Sequence, residues 1–229
     1  MTLTLYSHPL ASFCHKVLIA LYENGTPFEA RLVDLGDAAE RDRLLALWPV
    51  GKIPVLRDEA RNRTVPETSI IIEYLERHYP GPRPLLPRDP GTRLEARLWD
   101  RFYDLHVQAP MQRIVADRLR PEAERDPRGV AEARAALGTA YGMIERQMAA
   151  KEWAIGEAFS IADCAAAPAL FYAHTVVAFG ADHARTAAYL DRLTARPCFA
   201  RVLEEAGPYF HYYPFRDALP ARFRGGALR

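Results

Sequence analysis

The chain has little cysteine, almost no charge imbalance and no long apolar run. Its three cysteines, Cys14, Cys164 and Cys198, are far apart and odd in number. They form neither a disulfide framework nor the paired spacing of a zinc site, so no metal is expected and a reducing compartment, the cytoplasm, is the expected home. Thirty basic residues face 29 acidic ones, a net charge of +1. That balance gives no electrostatic case for nucleic acid or an anionic membrane as a partner. No apolar stretch approaches the ~20 residues of a membrane span. The opening Met-Thr-Leu-Thr-Leu-Tyr-Ser-His-Pro has neither the basic start nor the apolar run of a signal peptide. There is no tandem repeat.

What is present is ordinary globular material. Of 229 residues, 49% are hydrophobic and 26% charged, enough for two modest domains with real cores. Leu3 and Leu5 alternate in a short first strand that Ser7, His8 and Pro9 break. Ser12 reads as the N-cap of a helix carrying Phe13, Val17, Leu18 and Leu21, ended by Asn24-Gly25. Residues 28–33 form a second strand, parallel to the first through a βαβ connection. A polar helix over 37–47, a strand over 53–56, a very short antiparallel strand at 64–65 and a helix from Thr68 complete this part. Between Pro80 and Gly91 lie five prolines and two glycines in 12 residues, a semi-rigid connector.

Beyond the connector the period is helical. Leu94, Leu98, Phe102 and Leu105 share one helix face and are expected to face inwards. A helix spans 130–150. Ser160 and Asp163 have the form of a capping box before the alanine-rich run 164–170, which reads as a core helix containing Pro168. Shorter helices cover 187–194 and 198–206. The tail from Gly207 carries Tyr209, Phe210, Tyr212, Tyr213 and Phe215 and is expected to dock on the rest. The expected architecture is an α/β layer over 1–80, a connector over 81–91 and an all-α bundle over 92–229.

The segment Val-Gly-Lys-Ile-Pro-Val-Leu at 50–56 places a proline at the start of a strand, where it belongs at an edge or a bulge. Taken alone, Pro54 is expected to be trans. Backbone groups left free beside it could hold a peptide as an added strand.

Five segments in this order resemble the cytosolic glutathione transferases over nearly the whole chain. They are Leu-Tyr-Ser-His-Pro with Lys-Val-Leu-Ile-Ala-Leu at 16–21, Pro-Val-Gly-Lys-Ile-Pro-Val-Leu, Pro-Glu-Thr-Ser-Ile-Ile-Ile-Glu-Tyr-Leu, the proline-rich connector, and Phe-Ser-Ile-Ala-Asp-Cys. The resemblance implies a thioredoxin-like N-terminal domain with a mixed four-stranded sheet, an all-α C-terminal domain and a homodimer. It also implies glutathione as co-substrate, a small hydrophobic electrophile as second substrate, and a role in detoxification. It turns Pro54 to cis and gives Ile53 to the cysteinyl backbone of glutathione. Glu67 and Thr68 match the γ-glutamyl site. The residue types fit that role: Thr68 starts a helix, whose free N–H groups favour a carboxylate, and Glu67 can accept from the ammonium. Lys52 is a candidate for the glycyl carboxylate.

The chemistry asks for a thiolate at neutral pH from a thiol of pKa near ~8.5, through a helix N-terminus and a hydrogen bond to sulfur. The family places a serine or cysteine there. Aligned on Lys16-Val17-Leu18, that position in this chain is Ala11. Ser12, one place later, is the candidate catalytic donor; Cys14, three places later, is the candidate for a glutathione-dependent disulfide or peroxide reductase. A glutathione-binding or interaction protein without catalysis is the other reading of Ala11. For the electrophile, Tyr103, His106, Val107 and Met111 are the candidates, with Phe171 and the tail aromatics as covers.

Overall fold

The computed structural model describes residues 2–34 and 36–224. β1 (Leu3–Ser7) leads through α1 (Ser12–Glu23) to β2 (Glu29–Leu32), α2 (Ala38–Leu47), the hairpin of β3 (Val55–Asp58) and β4 (Arg63–Pro66), and α3 (Thr68–His78). The sheet order is β2-β1-β3-β4. β1 runs parallel to β2 and antiparallel to β3, and β3 antiparallel to β4. The expected βαβ unit and mixed sheet are therefore present. β1 alternates buried and half-buried residues, so Leu3, Leu5 and Ser7 point into the domain against α1 and α3.

The N-cap of α1 is Ala11, not Ser12, and no side chain caps it. Asn24 and Gly25, at φ 61°, close the helix as the sequence predicts. Gly51 takes φ 68° in the turn before Lys52, a conformation that costs glycine nothing. Ile53 and Pro54 precede β3 rather than opening it, and the Ile53–Pro54 bond is cis.

The connector is pinned on both sides. Leu85 and Leu86 are buried; the Leu85 N–H donates to Glu76 Oε2 at 3.1 Å, and its carbonyl accepts from Ile161 N at 2.9 Å. Gly81 lies against the Asn24 side chain, where a Cβ would stand 2.3 Å from it.

The second domain begins with α4 (Pro90–Phe102), passes through a π turn (Tyr103–Gln108) into α5 (Ala109–Leu119), and continues with α6 (Pro127–Gln147), α7 (Ile161–Val176), α8 (Ala184–Ala195), α9 (Pro197–Ala206) and a short α10 (Ala221–Arg224). α7 is the central helix, as its alanines predict: it is buried nearly end to end. Asp163 caps it from within the core, accepting from Ala154 N (2.8 Å), Ser160 N (2.8 Å), Ser160 Oγ (2.9 Å) and Tyr189 Oη (2.6 Å). Burial still raises its pKa above the ordinary carboxylate value. The tail docks as expected: Phe210 and Tyr213 are buried, and Tyr213 Oη meets Thr175 Oγ1 at 2.6 Å.

One expectation fails. Leu94, Leu98 and Leu105 are 70%, 64% and 50% exposed. The α4–α5 helix has a second apolar face, with Ala96, Tyr103, Val107, Met111 and Ile114, and that face is the buried one. Periodicity identifies a helix; it does not choose between two apolar faces.

The domains meet through α1, which packs on α7 and α9. Lys16, fully buried, joins them electrostatically. Its Nζ lies 2.6 Å from Asp100 Oδ1 and 2.7 Å from Asp104 Oδ2, and donates to Ser69 Oγ at 3.0 Å. Ser69 Oγ in turn donates to Asp100 Oδ2 at 2.5 Å.

Candidate functional site

Two clefts open on either side of Phe13 and Ile53, between the sheet end of the first domain and the α4–α5 helix. The first, about 300 Å³, is lined by Trp48, Lys52, Ile53, Pro54, Glu67 and Thr68 from the N-terminal domain, and by Arg101, Asp104, Leu105, Ala109 and Gln112 from the second. The second, about 520 Å³, is lined by His8, Leu10, Ala11, Val33, Asp34, Lys52 and Gln112.

The first cleft is built from short-range features. The turn at Gly51 and the cis Pro54 bring Lys52 and Ile53 to the domain surface ahead of the ladder, whose first register pair on that strand joins Val55 to Tyr6. At the other end of the hairpin, Glu67 is the N-cap of α3 with φ 68° and ψ 120°, and its side chain caps nothing. A non-glycine residue at positive φ costs about 1–3 kcal/mol and concentrates at functional sites. The geometry leaves the Glu67 carboxylate exposed and Thr68 as the first helical residue rather than the cap. Glu67 and Thr68 both line this cleft, and the first turn of a helix leaves N–H groups free, a ready seat for an anion.

The corner where the sequence places thiol activation is less direct. Ser12 is 4% exposed and lines neither cleft. Its hydroxyl accepts from Gln112 Nε2 at 3.4 Å. The α1 N-terminus nonetheless carries no capping side chain and no acid in its first turn, so its dipole is uncompensated. Cys14 is fully buried, and burial pushes its thiol up to about 12; a thiol in that state is a poor nucleophile. His15 is buried too. Its Nε2 meets the Pro9 carbonyl at 2.5 Å, and burial lowers its pKa to about 4.

The residues proposed for a second substrate fall on the wrong face. Tyr103 is fully buried and Met111 is 3% exposed, both in the core. Val107 is buried as well. His106 is exposed, stacked on Phe102 at 5.3 Å, and lines neither cleft. Phe171 sits in the core among Phe199, Phe210 and Phe223. The cleft face is instead Arg101, Asp104, Leu105 and Gln112. Arg101, Leu105 and Gln112 continue the stripe of Leu94 and Leu98, so the signal was present in the spacing but assigned inwards. Of the tail aromatics, Tyr209 approaches the second cleft, 5.7 Å from the His8 ring and edge-on to it. Asp104 is paired to Lys16, yet burial outweighs that pairing and raises its pKa.

Comparison with known proteins gives a consistent picture. A family model described as the glutathione S-transferase N-terminal domain matches residues 5–83, and one described as the C-terminal domain matches residues 102–197. FtsZ-localized protein A of Caulobacter vibrioides is 31% identical over 216 residues, covering 90% of this chain and 92% of that protein. Glutathione S-transferase GstB of Escherichia coli is 25% identical over 203 residues, 88% and 97% of the two chains. Among solved structures, a glutathione S-transferase from Methylobacterium radiotolerans in complex with glutathione sulfonate is 32% identical. It superposes with a TM-score of 0.76 over 87% of this chain and 93% of that one.

Proposed function

Because the chain belongs to the glutathione S-transferase family, we infer that it binds glutathione in the first cleft and transfers the glutathione sulfur to a small electrophile held in the second. The observation that carries the reading is the convergence of Ile53, Glu67 and Thr68 on one cavity. The γ-glutamyl carboxylate takes the N–H groups at the start of α3, and Glu67 accepts from its ammonium. The cysteinyl backbone pairs with Ile53 beside cis Pro54, and Lys52 faces the glycyl carboxylate.

The sulfur then lies at the uncapped N-terminus of α1. In this chain the helix dipole and the backbone N–H groups of its first turn do the larger part of thiolate stabilisation, with Ser12 as the nearest hydroxyl. Gln112, on the wall of both clefts and bonded to Ser12, orients that hydroxyl. The site acts cytoplasmically, in detoxification. The exposed stripe of Leu94 and Leu98, with Ile70 on the adjoining α3, is the face for a homodimer; Arg97 and Glu73 hold the two helices together at 2.6 Å.

A second reading, glutathione binding without turnover, is favoured by Ala11 at the family's serine or cysteine position and by the burial of Ser12. Titrating glutathione while reading the ultraviolet absorbance of bound thiolate separates the two. The transferase reading expects a thiolate at pH 7 in the parent, retained in Cys14→Ala and weakened by no more than about tenfold in Ser12→Ala. Binding with no thiolate signal favours the second reading, and absence of binding removes the assignment of Glu67 and Thr68.

A further inference from the structure

The second cleft holds two polar groups that the glutathione site does not use, His8 and Asp34; the Asp34 carboxylate accepts from Gly36 N at 2.8 Å. His8 lies on its wall, in the turn between β1 and α1, half-buried under Tyr209. The Leu10 N–H donates to His8 Nδ1 at 3.1 Å. An imidazole nitrogen that accepts carries no proton, so the neutral ring bears its hydrogen on Nε2. Among the described residues Nε2 has no hydrogen-bond partner. Burial lowers the imidazole pKa below its ordinary 6.5, against the pull of Asp34 on the same cleft. Asp34, Lys52 and Gln112 are the other polar side chains there, with Leu10, Phe13, Val33 and Ile53 supplying the apolar wall. The ring is therefore a fixed, neutral N–H donor at an otherwise mostly apolar pocket, beside the place where the sulfur is expected.

Resting on the transferase reading, we propose that His8 Nε2–H binds the carbonyl oxygen of the second substrate, and that this substrate is an α,β-unsaturated carbonyl compound. The thiolate forms a bond from sulfur to the β-carbon. The C=C π pair moves towards the carbonyl, which becomes an enolate, and the negative charge developing on oxygen falls on the Nε2–H. The α-carbon then takes a proton from water, replacing the one the thiol released, and no redox change occurs. A preorganised neutral donor strengthens its bond as the charge develops, which lowers the barrier rather than tightening ground-state binding. Displacement at an alkyl or benzyl halide puts no charge on such an oxygen, so it gains nothing from His8.

The test compares conjugation of glutathione to a medium-chain 2-enal and to a benzyl halide by the parent, His8→Leu and His8→Gln, with glutathione affinity measured for each. His8→Leu is expected to lower kcat with the enal by about 10²-fold, to change the halide reaction by less than about threefold, and to leave glutathione binding intact. His8→Gln, whose amide N–H sits near the Nε2 position, is expected to restore part of the enal rate. Equal losses with both substrates make His8 a structural residue and overturn the proposal, as does an unchanged enal rate in His8→Leu. A parent that turns over the halide but not the enal overturns the substrate class alone. A parent that binds glutathione but conjugates neither overturns the transferase reading and the proposal with it.

Discussion

Replacing Lys16 by methionine tests the electrostatic joint between the domains. The substitution keeps an unbranched apolar stem of similar reach and removes one cation. That cation sits 2.6 Å from Asp100 and 2.7 Å from Asp104, with side chains 0%, 2% and 5% exposed respectively. Removing it leaves two buried carboxylates facing each other, with Ser69 on one and the half-exposed Arg101 on the other at 3.3 Å. Breaking a buried pair in this way costs about 3–5 kcal/mol, which for a chain of this size lowers Tm by roughly 6–20 °C. The pH dependence gives a second handle. Asp104 has a folded-state pKa raised above its ordinary 3.8, by burial first and against the attraction of Lys16. A carboxylate raised on folding contributes stability below its unfolded pKa and loses that contribution as pH rises through the folded value. Without Lys16 the folded value rises further. The deficit of Lys16→Met relative to the parent is therefore largest near pH 7.5 and shrinks as pH falls towards about 5. Adding Asp104→Asn to Lys16→Met returns part of the loss. Urea unfolding of the three proteins across that range measures all of this. A deficit under about 1 kcal/mol that does not vary with pH refutes the reasoning.

Three further outcomes follow from the same structure. Asp163→Ala leaves four donors without an acceptor inside the core and is expected to cost about 3 kcal/mol or more, well beyond a simple helix cap, as a shift in the urea midpoint. The native protein should react with a disulfide reagent at pH 8 only as fast as it unfolds: Cys14, Cys164 and Cys198 are all buried, and burial pushes Cys14 and Cys198 to about 12; fast labelling of one thiol in the folded state would contradict this. Leu98→Glu places a charge on a side chain 64% exposed in the single chain, so it is expected to shift sedimentation from dimer to monomer without lowering Tm by more than ~2 °C.

Much of the fold is legible in short segments because the forces that specify it are local. The alternation of β1, the Asn24-Gly25 stop, the connector prolines and the Ser160–Asp163 capping box each encode a backbone geometry within a few residues, and each appears where the pattern puts it. The Ser12 N-cap is a local error of one residue: the serine has the right chemistry for the cap, but the chain turns at Ala11 and folds the hydroxyl inwards. The second-substrate wall failed for a different reason. A single helix with leucines on one face and aromatics on the other satisfies the same period in two rotations about its axis.

The sequence by itself determined the layer order, the strands and helices of the first domain, the central helix of the second, and the segments 50–56 and 66–68 that line the first cleft, since turn glycine, proline and helix start act through their own backbone. Only the tertiary structure decided which face of α4–α5 looks into the clefts, because that depends on what α7 offers to pack against. The same holds for the burial of Lys16 between acids more than 80 residues away along the chain. It holds also for His8, which meets Tyr209 across nearly the full length of the chain. Those contacts carry no local signature: they arise where distant elements share one core.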